Sequence, residues 1–246
     1  MRRLWRPPLR GGVHVCGCGH SGTSILTRLI GAHSLVQAIP GETGVAKKES
    51  YGRYRQAVEG FWQQAEAAGA RLWLEKTPKH VRHLGFILGA APDSRIVLIC
   101  RDPRDTVASL KRRYGRFGKA LRRWRHDNGL VRRWQHHPQT LLLRYEDLVA
   151  DPGRSLERLM PFLGLRFEPE QLNYHQQTVS WYGQAEAPAS PEQYLQGISH
   201  VDYRNQQINQ PLFNNSGTHQ RYLSREEIER VRRRCGRLAR TLGYSL

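Results

Sequence analysis

Four short apolar runs alternate with longer stretches in which apolar residues recur every three or four positions. Val13–Cys16, Leu72–Glu75, Arg95–Cys100 and Thr140–Arg144 read as strands. Arg95–Cys100 is apolar without alternation, the pattern of a parallel strand buried on both faces. From Thr23 to Ala32, Ile25, Leu26, Leu29 and Ile30 fall on one face of a helix. Further helices are expected over Tyr51–Ala68, about Lys79–Leu88 and 152–163. Pro78 lacks an N–H and should end the strand before it, while Asp102-Pro103 supplies an N-cap and a first-turn proline. Ser224 and Glu227 form a capping box. Behind it Ile228, Val231, Cys235, Leu238 and Leu242 make a helical stripe that Gly243 stops. From about Leu165 to Tyr222 the chain is rich in Gln, Asn, Gly, Pro and Tyr and has little periodicity; loops this long in a compact domain are usually lids or binding loops. Strands alternating with helices give an α/β fold with a central parallel sheet covered on both faces, whose ligands bind at the carboxyl ends of the strands.

Composition narrows the partners. The 246 residues suit one domain, 1–246, and 39 Lys+Arg against 21 Asp+Glu give a formal charge of +18. Such a field favours nucleotides, sulfated or phosphorylated substrates, nucleic acid or an acidic membrane surface. No apolar run approaches membrane-spanning length, and residues 1–11 form a basic arm without a signal-type apolar stretch, so a cytoplasmic protein is expected. Four cysteines fit a reducing compartment; Cys16-x-Cys18 has no second Cys/His pair at ligand spacing, and no metal is expected.

Two segments carry the chemistry. Val13–Cys16 runs into Gly17-Cys18-Gly19-His20-Ser21-Gly22-Thr23-Ser24, and Arg95–Cys100 runs into Arg101-Asp102-Pro103-Arg104-Asp105-Thr106-Val107-Ala108-Ser109. Each reads as a buried strand, a tight loop and a helix start, where unpaired N–H groups and the helix dipole attract an anion. Two such sites imply a ligand with two separated phosphates. No Gly-Lys-Ser/Thr is present, so the first loop is not a Walker A motif. Arg101 suits bidentate phosphate binding, whereas Arg104 is expected to pair with Asp102 and Asp105.

On these residues the chain resembles the sulfotransferases that use 3′-phosphoadenosine-5′-phosphosulfate (PAPS), in particular the bacterial branch related to tyrosylprotein sulfotransferases. The resemblance rests on Ser21–Ser24, Glu75-Lys76-Thr77-Pro78, Arg101 to Ser109, Arg144-Tyr145-Glu146-Asp147-Leu148 and Arg221 to Tyr244, in order from residue 12 to 244. It implies a P-loop-like three-layer α/β/α fold, PAPS as donor and adenosine 3′,5′-bisphosphate as product. The implied 5′-phosphosulfate site is Gly19, His20, Ser21, Gly22, Thr23 and Ser24; the 3′-phosphate falls to Arg101 and Ser109, with Arg221 closing over it. Position 20 holds Lys or Arg in the family and His here. Lys76 and His20 are expected to stabilise the transferring group. The cytosolic branch draws its base from a His at the position of Pro78, and the tyrosylprotein branch from a Glu in a Gly-Glu segment after the first helix; Gly41-Glu42-Thr43 lies at that place, so the resemblance implies Glu42 as the base. Glu75 is second choice, its expected duty being to partner Lys76 or a nearby arginine. His80 and His83 are expected at the surface.

The expected acceptor is a hydroxyl compound, acidic acceptors included: carbohydrate, lipid, peptide or small molecule. Residues 165–222 would form the acceptor and lid region. The basic run Lys111 to Arg133 reads as a solvated helix face, open to an acidic glycan or peripheral contact with an anionic membrane; nucleic acid is not the expected partner, because no recognised module is present. Two rivals stand beside this reading. A kinase with a degenerate P-loop would need magnesium and ATP, and a non-catalytic basic binder would lack nucleotide affinity.

Overall fold

The structure is a computed structural model that describes residues 7–181 and 200–246, with the side chains of 200–204 left aside. Five strands form one parallel sheet in the order β2-β3-β1-β4-β5: β1 Val13–Gly17, β2 Val36–Ala38, β3 Leu72–Lys76, β4 Arg95–Cys100 and β5 Thr140–Arg144. The helices are α1 Thr23–Gly31, α2 Tyr51–Ala67, α3 Leu84–Ala90, α4 Pro103–Tyr114, α5 Phe117–Trp134, α6 Tyr145–Ala150, α7 Pro152–Phe162, α8 His200–Asn209 and α9 Arg225–Thr241. Short 3₁₀ turns cover Pro78–Arg82, Pro169–Gln176 and Thr218–Arg221. No helix among the described residues is long and apolar enough to cross a membrane.

The two-residue period of the strands sorts their side chains into two cores. Cys16, Trp73, Ile96, Leu98 and Cys100 pack with α2, α3, α5 and α9, whereas Val13, Val15, Leu74, Val97 and Ile99 pack with α1 and α7. This is the three-layer α/β/α arrangement expected from the alternation of apolar runs. The same alternation puts Lys76 and Glu75 on opposite faces of β3.

Several details differ from the sequence reading. Val36–Ala38 is an edge strand beside β3, too short to show a period. The helix expected over Lys79–Leu88 is a 3₁₀ turn followed by α3, because His83 has non-helical torsions. The basic arm is described from Pro7, and its Arg10 guanidinium lies 3.3 Å from the centroid of the Trp62 ring. In the 165–222 region, Arg28 of α1 reaches across to donate to the carbonyls of Tyr174, Gln177 and Ile208. The stretch from Leu165 to Tyr222 thus includes two 3₁₀ turns and α8, with 182–199 outside the described residues.

Candidate functional site

The β1–α1 and β4–α4 loops are neighbours because β1 and β4 pair in parallel, Val13 to Gly17 against Arg95 to Ile99. Gly17 has φ +149°, and a Cβ there would lie 2.3 Å from the Ile99 carbonyl oxygen, so the two strand ends approach closely only with glycine. Gly22 has φ +93°, and its missing Cβ would meet the Tyr145 ring at 2.6 Å. His20 sits in the left-handed region at φ +70°, which is uncommon for a residue with a side chain. Its Nδ1 lies 2.8 Å from Ser109 Oγ, joining the two loops directly. No side chain caps the N-terminus of α1.

The second loop leads into α4. The Asp102 carboxylate accepts from the Arg104 N–H at 2.7 Å, and Arg104 Nη2 closes on Asp102 Oδ2 at 2.6 Å. The Asp102 N-cap expected of this helix is therefore formed, and it takes the Arg104 N–H. Arg104 pairs with Asp102, as its position suggested. Asp105 instead binds the backbone N–H groups of Gly217 and His219 at 2.8 and 2.9 Å and lies 2.8 Å from His219 Nδ1. That clamp holds the loop ahead of α9 against α4. Arg101 is 94% buried, lies 4.3 Å from the centroid of the Tyr145 ring and donates to the Asn215 carbonyl.

Gly19, His20, Gly22, Thr23 and Ser24 share one cleft with Arg101, Ser109, Glu42 and Tyr145. The cleft has a volume of about 230 Å³. Its remaining wall is mixed and includes Arg112 and Arg113 as well as Ile25, Pro78, Ile208, Leu212 and Phe213. Ser21 is fully buried and does not line the cleft, and Arg221 is exposed on the 3₁₀ turn outside it. Tyr145, Asn215 and Phe213 were not singled out by sequence reasoning. Tyr145 had a signal, its place at the carboxyl end of a strand; the other two lie in an unpatterned loop.

Glu42 also lines the cleft, and its Oε1 accepts from Lys76 Nζ at 3.1 Å. The Lys76 side chain is fully buried, whereas Glu42 keeps 31% of its side-chain accessibility. The structure thus joins the proposed base and the proposed cation into one pair.

Glu75 does not partner Lys76 or an arginine. On the opposite face of β3 its Oε2 lies 3.4 Å from His14 Nδ1 and 3.0 Å from His80 Nδ1, and its Oε1 accepts from the hydroxyls of Thr43 and Thr77. His80 is fully buried, contrary to expectation, because the 3₁₀ turn after Pro78 folds it under β1; His83 keeps 20% side-chain accessibility and pairs with Glu49. His14 Nε2 lies 3.0 Å from the Tyr54 hydroxyl. Burial alone would push the Glu75 carboxyl up. The charge of His80 and the hydrogen bonds from His14 and His80 outweigh it, and the group titrates well below the usual carboxylate range. Burial holds the His14 imidazole below its ordinary value despite Glu75, so His14 is neutral near pH 7. His14, Glu75 and His80 carry metal-ligand atoms within 4.8 Å of one another. The Ala46 N–H nevertheless donates to His80 Nε2, which leaves Nδ1 as the ring nitrogen facing Glu75. The trio is built as a hydrogen-bond hub.

Comparison with known proteins gives the family and agrees with the fold. One sulfotransferase family model matches residues 42–169, and a sulfotransferase domain model matches residues 114–243. The chain belongs to the sulfotransferase family, and it is a sulfotransferase enzyme by family and fold. No curated protein sequence matches it. Among solved structures it resembles the sulfotransferase domain of a Synechococcus olefin synthase, with a TM-score of 0.60 at 18% identity, covering 99% of this chain and 100% of that one. It also resembles mouse sulfotransferase SULT7A1 complexed with PAP, which is adenosine 3′,5′-bisphosphate, with a TM-score of 0.60 at 13% identity over 94% and 84% of the two chains. Retinol dehydratase in complex with androsterone and inactive cofactor PAP gives a TM-score of 0.51 at 16% identity over 97% and 84%. Nothing in these matches singles out the tyrosylprotein branch.

Proposed function

We propose that this enzyme transfers the sulfuryl group of PAPS to a hydroxyl acceptor, with Glu42 as general base and Lys76 as the cation at the reacting centre. The observation that carries the reading is the Lys76–Glu42 pair, 3.1 Å apart, with Lys76 buried behind Glu42 and Glu42 lining a cleft that also holds the first loop, Arg101 and Ser109. The acceptor oxygen attacks sulfur as its proton passes to Glu42, and the bond from sulfur to the bridging oxygen of the 5′-phosphate breaks. Adenosine 3′,5′-bisphosphate leaves with that electron pair. Charge spreads over the bridging and sulfonyl oxygens, so catalysis rests on positioning and on fixed positive groups. Lys76 supplies one such group; the amides of the Gly19–Ser24 loop and His20 supply donors beside it. Arg101 and Ser109 read the 3′-phosphate, and Arg101 exchanges its contact with the Asn215 carbonyl for that anion.

Solved relatives of the same fold bear PAP by their descriptions, which supports PAPS as the donor here. The apolar wall of Ile25, Ile208 and Leu212 favours an acceptor with an apolar body, and retinol dehydratase of the same fold is seen in complex with androsterone. Basic charge near the cleft favours acidic groups on that acceptor, or an anionic membrane nearby: between Thr106 and Arg144 the sole carboxylate is Asp127, buried and paired with Arg82 and Arg123. Transfer of labelled sulfate from PAPS to a panel of carbohydrate, lipid, peptide and small alcohol acceptors tests the proposal. Label in a sulfate ester with stoichiometric release of the bisphosphate is the expected result. Release of neither product from PAPS, with every acceptor class, would overturn it.

A further inference from the structure

Glu75 is a fully buried carboxylate on the face of β3 opposite Lys76, and the mechanism above leaves it unused. Its partners are informative. Three of the contacts around it lead to one short segment, the loop that follows β2 and carries Glu42. Thr43 donates to Glu75 Oε1 twice, through its N–H at 3.3 Å and its hydroxyl at 2.7 Å. Thr77 donates its hydroxyl to the same Oε1 and accepts the Gly44 N–H at 3.0 Å. His80, with Nδ1 3.0 Å from Glu75 Oε2, accepts the Ala46 N–H through Nε2 at 3.3 Å. The backbone N–H groups of residues 43, 44 and 46 are thus held, directly or through one side chain, by one carboxylate. Residue 42 is the next link of that chain, and its own side chain meets Lys76 on the other side of the strand.

The chemistry of the donors requires an anion at this place. With Nε2 accepting from Ala46, His80 turns Nδ1 to within 3.0 Å of Glu75 Oε2, and both threonine hydroxyls donate to Oε1. A buried oxygen pair surrounded by donors is stable as a carboxylate; an amide would turn an NH₂ group toward one side of the cluster and leave donors facing donors.

We propose that Glu75 is a positioning residue: through Thr43, Thr77 and His80 it fixes the loop 42–46 so that Glu42 stands against Lys76 and the reacting centre. This inference rests on the reading of Glu42 as the base. It predicts that the second acidic residue of this region acts through the loop and touches neither donor nor acceptor.

The test is Glu75→Gln in the full chain, alone and combined with Glu42→Gln. Amide hydrogen exchange should rise at least about tenfold in residues 43–46 while the Gly19–Ser24 loop and β4 keep their protection. Affinity for adenosine 3′,5′-bisphosphate should stay within about twofold. The rate of bisphosphate release from PAPS, with 4-nitrophenol as the hydroxyl probe, should fall at least about tenfold, and adding Glu75→Gln to Glu42→Gln should cost less than about a further twofold. Unchanged exchange in 43–46, a rise spread evenly over the sheet, or rate losses that multiply would overturn the proposal. Wild-type turnover in Glu42→Gln would remove Glu42 as base, and the exchange result would still decide whether Glu75 holds the loop. If Glu75→Gln does not fold, Thr43→Val removes the hydroxyl's contacts to Glu75 and to the Val45 N–H, and exchange at residues 43, 44 and 46 should rise in the same local pattern at smaller size.

Discussion

Replacing Lys76 by alanine removes a buried cation without touching the groups that read the nucleotide's 3′-phosphate. Two unit charges 3.1 Å apart interact by about 5 kcal/mol at an effective dielectric of about 20. In the transition state the bridging oxygen gains only part of a charge, so a similarly placed Lys76 is worth about half of that, roughly 2–3 kcal/mol, or about 100-fold in rate. The same substitution leaves Glu42 without this partner, which alters its readiness as a base and adds to the loss. The expected result is a fall in kcat of at least about 100-fold, with the affinity for adenosine 3′,5′-bisphosphate changed less than about threefold. The assay is bisphosphate release from PAPS with saturating acceptor, beside calorimetric binding of the product. A kcat within threefold of the unmodified enzyme would refute the role. Equal losses in kcat and in product affinity would show that Lys76 serves the ground state and not the reacting centre.

Arg101→Ala should weaken adenosine 3′,5′-bisphosphate by about 3 kcal/mol, roughly 100-fold, and leave adenosine 5′-monophosphate within a few-fold, because charge-assisted hydrogen bonds to the 3′-phosphate are what it loses; parallel titrations decide, and equal losses would deny it that role. Gly22→Ala should lower stability by about 1–3 kcal/mol and impair nucleotide binding, since φ +93° and a Cβ 2.6 Å from the Tyr145 ring leave no room for a methyl group; an unchanged Tm would contradict the packing. Thermal stability should also fall as pH drops below about 6.5. The depressed His14 leaves the unfolded chain binding a proton that the folded chain refuses, and stability is lost down to the folded pKa at up to about 1.4 kcal/mol per pH unit. A Tm that is flat from pH 8 to 5 would count against a neutral buried His14.

Much of the architecture was legible because it depends on local pattern. The apolar runs of β1, β3, β4 and β5 and the capping box at Ser224 carry their periods and caps in adjacent residues, and the structure has them where expected, with Ser224 Oγ accepting the Glu227 N–H at 3.2 Å. Edge strand β2 has three residues and no period to read. The joining of His20 to Ser109 depends on the parallel pairing of β1 with β4, which only the fold supplies. The Glu75 hub was illegible because its members, His14, Thr43, Thr77 and His80, come from four segments that only the fold assembles. Alternation along β3 could have told that Glu75 and Lys76 face apart, which the sequence reading did not use. His80 likewise reads as polar and exposed until a buried carboxylate is there to receive it. The capped start of α4 was visible in Asp102, whereas the closing of the Arg104 guanidinium on the same carboxylate needed the structure.

The central claim is a donor site built for a nucleotide with phosphates at both the 5′ and 3′ positions. Calorimetric titration with adenosine 3′,5′-bisphosphate, without magnesium and with adenosine 5′-monophosphate and ATP as controls, tests it most directly. The account predicts tight binding of the bisphosphate and affinity lower by at least about 100-fold for both controls. Equal affinity for all three, or no binding of the bisphosphate, would contradict it.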